Sequence, residues 1–214
     1  MILMHPREQS SSEEIANSIS HGFALIGALV ALPFLLIASC SLSLFGAIGV
    51  GVFAITLVFL FLTSTLYHAL PAGRTKRLAL RLDQGAIYVF IAGTYTPFAL
   101  GAMGGPADWN MFGLVWALAL CGATLKAFDL PRHPGLSTAL YLLMGWMALI
   151  AAVPLLAHMP PQGTGLLVAG GAAYTVGVVF FVLDARMRYG HTVWHGFVTL
   201  GSGCHFFAVL GFAA

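Results

Sequence analysis

Seven long stretches of this chain are apolar and almost free of charge, and short polar clusters separate them. A bilayer core takes roughly 20 mostly apolar residues per helix. Spans of that size fall at about 21–40, 44–70, 84–102, 110–127, 136–157, 164–183 and 191–213. The breaks carry turn-forming residues: Pro71 with Gly73, Gly104 with Pro106, Pro131 with Pro134, and Pro160 with Gly163. Pro33, Pro97 and Pro154 lie inside spans and are expected to kink them, which membrane helices tolerate. The pattern predicts an all-α integral membrane protein. A polar tail, 1–20, precedes a seven-transmembrane helix bundle, 21–213. Within the tail, Ser10 with Glu13 and Ser11 with Glu14 fit a capping box, so a helix is expected to start near Ser12 and run into the first span.

Composition narrows the class. Of 214 residues, 59% are hydrophobic and 7% charged, against about 25% charged in soluble domains. A soluble globular domain, a disordered chain, a coiled coil and a nucleic-acid-binding domain are excluded. Cys40, Cys121 and Cys204 have no CxxC spacing and read as small apolar residues in helices. The first 14 residues lack the pattern of a cleaved signal peptide.

The nine cations give an orientation. Arg7 is in the tail; Arg74, Lys76, Arg77 and Arg81 follow the second span, Lys126 and Arg132 the fourth, and Arg186 and Arg188 the sixth. The connections after spans one, three and five have none. The positive-inside rule then puts the N-terminus in the cytoplasm and the C-terminus outside.

Ionisable residues inside a membrane are costly and mark candidate sites. Of eight histidines, His5, His133 and His158 fall in connections or the tail and read as solvated. His68 precedes Arg74 by about 9 Å of helix, and His191 and His195 follow Arg188 by roughly 5 and 10 Å. Asp83 opens the third span near the same depth, and Glu14, Asn17 and His21 open the first. His191 and His195 are four residues apart, on one helix face. Such a pair is a common two-ligand offer to zinc, and a third histidine from another helix would leave the fourth position open to water. Asp83 is the nearest carboxylate for orienting or deprotonating that water, and Ser64 lies on one face with His68. The same residues also suit a proton relay, or polar pairs gluing helices together. His205 lies about 15 Å beyond His195 and reads as a helix–helix hydrogen bond. Asp129 and Asp184 read as interfacial ion pairs, and Asp108 with Trp109 as an interfacial anchor. A retinal Schiff base is excluded, since Lys76 and Lys126 are the only lysines and neither is in the last span. A pore fits poorly, because only His205 lies deep.

Glu14, Asn17, His21 and Gly22, then Ser64 with His68, Asp83 with Gln84, Thr94 to Pro97, and His191 with His195, together resemble the hemolysin III proteins of bacteria. These are related to the progestin and adipoQ receptors and, more distantly, to the alkaline ceramidases. The resemblance implies a multi-pass protein of the bacterial inner membrane, with seven helices and a zinc ion near the cytoplasmic side. Zinc would be held by His68, His191 and His195. Asp83 would act on the water at the open position, with Ser64 supporting the site. Glu14, Asn17 and His21 match the bacterial N-terminal motif and are assigned a supporting place at the cavity mouth. Eukaryotic relatives are hydrolases, or suspected hydrolases, of lipid amides, so the expected activity is zinc-dependent hydrolysis of an amide or ester bond in a membrane lipid. The other class is non-enzymatic: a cytolytic factor, a sensor or receptor, or a membrane-homeostasis protein with structural zinc.

Overall fold

The computed structural model describes residues 9–102, 106–130, 134–151 and 159–212. His5, Arg7, Arg132, His133, Pro154 and His158, and the side chain of Asp108, lie outside the described residues. Seven helices and no strands occur among them: α1 Ser11–Ser39, α2 Leu44–Ala69, α3 Arg74–Ala102, α4 Pro106–Ala127, α5 Pro134–Ala151, α6 Pro161–Leu183 and α7 Gly190–Phe212. The chain is a helical membrane bundle. Five of its helices are long and apolar enough to cross a bilayer: α1, α2, α6, and the stretches Trp109–Ala127 of α4 and Gly190–Gly211 of α7. The apolar part of α5, Gly135–Met147, is shorter. α3 is the least apolar of the seven, and it packs against α2, α4, α5 and α7.

Local chemistry sets the helix starts. Ser10 caps α1, and the Glu13 carboxylate reaches back to accept from the Ser10 N–H at 3.0 Å and from its hydroxyl at 2.8 Å. Ser43 caps α2 by accepting from the Gly46 N–H. Pro161 occupies the first position of α6, where a missing N–H is no loss. α1 and α3 run through Pro33 and Pro97.

One helix start follows the capping pattern and another departs from the hydrophobic pattern. α1 begins at Ser11, next to the start near Ser12 that the capping box predicts, so residues 11–20 of the polar tail are helix running into the first span. α3 begins at Arg74, ten residues before its apolar stretch, and Arg74, Lys76, Arg77 and Arg81 are therefore helical. They contribute polar helix ends that a hydrophobicity reading cannot register.

Packing is built on apolar side chains and missing ones. One cluster joins α1, α2, α3 and α7 around Phe53, Leu57, Phe61, Phe90 and Val198; another joins α3, α4 and α5 around Tyr88, Val115, Ala119 and Met144. With hydrocarbon outside, close backbone approach replaces the hydrophobic drive between helices. A Cβ on Gly49 would sit 2.8 Å from the Pro97 Cα, and one on Gly122 would meet the Tyr88 ring at 2.6 Å. Large apolar side chains such as Phe23, Val30, Ile37 and Phe207 are exposed on the outer surface, as a lipid-facing surface requires. Buried threonines return their hydroxyls to their own helix: Thr63 to the Phe59 C=O and Thr96 to Ala92.

Candidate metal centre

At the end of the bundle where α1, α3 and α7 begin and α2 and α6 finish, three histidine rings form a triangle. The ring centroids of His68 and His191 are 5.1 Å apart, His68 and His195 5.0 Å, and His191 and His195 4.7 Å. His68 comes from the last turn of α2; His191 and His195 come from the first two turns of α7. Their ligand atoms all lie within 4.8 Å of one another, and the group could hold a metal ion. Bonds of about 2.0–2.1 Å put two donors at most about 4.2 Å apart, so small side-chain rotations suffice to close the set.

Each ring is held from behind through Nδ1. Glu14 Oε2 accepts from His68 Nδ1 at 2.7 Å. Asp184 Oδ2 accepts from His191 Nδ1 at 3.1 Å. The Asn17 carbonyl at 3.2 Å and the Ser20 hydroxyl at 3.0 Å accept from His195 Nδ1, and Ser20 passes its own proton to the same Asn17 carbonyl. With the proton on Nδ1, the Nε2 of each ring carries no proton and is a free donor for a metal. His68 Nε2 is buried and has no hydrogen-bond partner. An unpaired buried nitrogen costs about 1–3 kcal/mol, and an ion as occupant removes that cost. The donor chemistry therefore fits a metal.

Asp83 and Ser64 stand beside this triangle. Ser64 is one turn before His68 on α2 and is 2% exposed. It hydrogen-bonds Asp83, whose carboxyl also lies in the field of His191. A carboxylate only accepts, so the Ser64 proton goes to Asp83 and its oxygen accepts from His21 Nδ1 at 2.7 Å. The His21 ring in turn stacks on His195, with centroids 3.5 Å apart and planes 9° apart. Its Nε2 is the second buried nitrogen here without a partner. Asp83 thus meets the level of Ser64 and His21. The sequence pattern had put it nearer the helix start, because it missed the first turns of α3.

All eight residues singled out by the sequence meet at this end: the three histidines, Asp83 and Ser64, and Glu14, Asn17 and His21 from α1. Asn17 also accepts from the Thr192 hydroxyl at 2.6 Å, and Glu13 accepts from the Tyr189 amide at 3.0 Å. Tyr189 has φ 60, a conformation that costs a non-glycine residue roughly 1–2 kcal/mol. The Glu13 contact fixes this turn just ahead of His191. Gly190 keeps it tight, since a Cβ there would lie 3.0 Å from the Asp184 Cα.

The sequence reading missed Asp184, Ser20 and Lys76. Asp184 is no isolated interfacial ion pair: it holds His191. Its signal was its place seven residues before His191 across a tight turn. Asp129 does face a cation, with Arg81 Nη2 at 3.9 Å in an exposed position. His205 Nε2 lies 3.3 Å from the Leu167 carbonyl of α6.

Known proteins match this chain over most of its length. The family described as haemolysin-III related matches residues 9–206. The chain is 41% identical to the hemolysin-3 homolog of Bacillus subtilis (strain 168), over 92% of this chain and 93% of that one. It is 39% identical to hemolysin-3 of Bacillus cereus, over 94% and 92%. The human monocyte to macrophage differentiation factor is 26% identical, over 92% of this chain and 83% of its own. No solved structure matches.

Proposed function

The chain belongs to the haemolysin-III-related family of multi-pass membrane proteins, and from that premise we propose that it is a zinc-dependent hydrolase of amide or ester bonds in membrane lipids. The observation that carries the reading is the triangle of His68, His191 and His195, with every Nδ1 committed elsewhere and three donors where a closed structural site uses four. Two of the three rings are backed by carboxylates, which raises their basicity toward a divalent ion. Zinc in such a site supplies a Lewis acid for an acyl carbonyl and makes water nucleophilic near neutral pH.

The chain's own residues supply the rest. Glu14, Asp184, Asn17 and Ser20 keep the three rings oriented, so no reorganisation is needed when substrate arrives. Asp83, on the neighbouring helix, takes the proton that the attacking water gives up. It delivers this proton to the departing amine or alcohol as the acyl carbon gains the hydroxyl. Ser64 aims that carboxylate, and His21 fixes the direction of the Ser64 proton. The bond broken joins acyl carbon to nitrogen or oxygen; the products are a fatty acid and the freed headgroup amine or alcohol.

The alternative is a non-enzymatic membrane protein with structural zinc. Elemental analysis of the purified protein, followed by incubation with a panel of N-acyl and ester lipids, separates the readings. The hydrolase reading expects one zinc per chain and release of fatty acid from at least one lipid class. Zinc without turnover on any lipid overturns the hydrolase and leaves the structural metal.

A further inference from the structure

Four cations, Arg74, Lys76, Arg77 and Arg81, open α3, and a charge rule for membrane orientation accounts for all four alike. Their surroundings are not alike. Arg74 and Arg77 are exposed, and the Arg81 contact to Asp129 is long and solvent-facing. Lys76 turns inward, over the Tyr67 ring at 4.8 Å. Its ammonium has three protons and three acceptors: Glu14 Oε1 at 2.9 Å, the Tyr67 carbonyl at 3.1 Å and the Leu70 carbonyl at 3.2 Å.

We propose that Lys76 is a positioning residue of the metal site, acting on His68 through Glu14. The proposal rests on the metal reading above. The two carbonyls belong to the end of α2, on either side of His68 in sequence, where a helix leaves its last acceptors unpaired. A cation there also meets the negative end of the helix dipole. The third acceptor belongs to α1. One ammonium therefore ties the start of α1, the end of α2 and the start of α3 around a single ligand. The Glu14 carboxylate is split between two partners, Oε1 to Lys76 and Oε2 to His68 Nδ1. Its side chain is 23% exposed, so without Lys76 it is free to swing toward solvent, and the His68 proton loses its fixed acceptor. A lysine suits the place because its three donors diverge toward three separate elements. An arginine fork is planar and matches one flat partner.

The test is zinc affinity, measured by competition with a chelator on purified protein in detergent, with the zinc-induced rise in Tm as a second readout. Lys76→Met is expected to bind zinc 10–100-fold more weakly, the range for outer partners of metal ligands. Arg77→Met, from the same cation cluster, is expected to bind like wild type. Glu14→Gln is expected to match Lys76→Met, and the double variant to be no worse than Glu14→Gln alone. Lys76→Gln, which keeps an amide donor for the carbonyls but no charge for Glu14, covers the case in which Lys76→Met does not fold. It should show the same loss of affinity. A merely structural lysine would lower Tm equally with and without zinc; that result, or a Lys76 variant with wild-type affinity, overturns the inference. A wild-type protein that binds no zinc overturns the metal reading itself, and this inference with it.

Discussion

α7 carries two kinds of histidine on one helix, and they behave differently. His195 is 2% exposed and sits among polar groups brought by α1 and α2. His205 is ten residues on, about 15 Å along the axis, and meets one backbone carbonyl and the edge of the Tyr174 ring. The His205 ring fills a notch that exists because Gly170 has no side chain, and the neighbouring Tyr174 ring fills another at Gly201 while its hydroxyl meets Ser202 at 3.0 Å. The same imidazole is thus a candidate ligand at one depth and helix glue at another. What differs is whether other helices present donors and acceptors at that depth. One polar side chain can bridge two helices; a site needs several elements to place polar residues in the same layer.

The strongest way to break this comparison is to exchange the losses. His195→Ala should abolish stoichiometric zinc, while His205→Ala should leave it intact, as elemental analysis of both purified variants would show. Equal zinc in the two would erase the distinction. A sharper cut lies within the site. Asp83→Asn should keep most of its zinc at saturating metal yet lose hydrolysis by on the order of 10²–10⁴-fold, whereas His68→Ala should lose both. Zinc loss from Asp83→Asn as complete as from His68→Ala would make Asp83 a ligand. Asp184→Asn is milder: it should weaken zinc 10–100-fold without changing stoichiometry at saturation, as chelator competition would report. The smallest effect belongs to the other histidine. Gly170→Ala pushes a Cβ against the His205 ring and should destabilise by about 1–3 kcal/mol. It should leave zinc affinity untouched, so thermal unfolding and metal titration of one sample would separate the two ends of α7.

Orientation is a separate expectation and concerns the whole bundle. A reporter active only outside the membrane should work when fused after Ala214 and be silent when fused near Arg77. The reverse would turn the metal site to the outer leaflet.

The fold was largely legible because a bilayer imposes length and apolarity on anything that crosses it. The boundaries of α2, α6 and α7 fall within a few residues of the hydrophobic pattern. The start of α3 was less legible, since Arg74 to Asp83 are polar helix and hydrophobicity has no contrast there, whereas the polar start of α1 showed in its capping box. The site was legible to the extent that it obeys helical arithmetic. His191 and His195 share a face by spacing, and His68 shares their depth by its distance from the nearest cations.

Depth, however, is one coordinate of three. Which faces of α1, α2, α3 and α7 turn toward one another depends on how the helices rotate and pack, and no count along the chain encodes that. Asp184 and Lys76 carried the same marks in sequence as any interfacial charge. They became partners of His191 and Glu14 only when a tight turn and a three-helix corner brought them inward. The sequence by itself determined where the apolar helices of the described residues fall and which polar residues share a helix face, because solvent and periodicity act on each segment alone. Tertiary structure decided which polar residues meet, because hydrogen bonds of about 3 Å depend on the relative placement of whole helices.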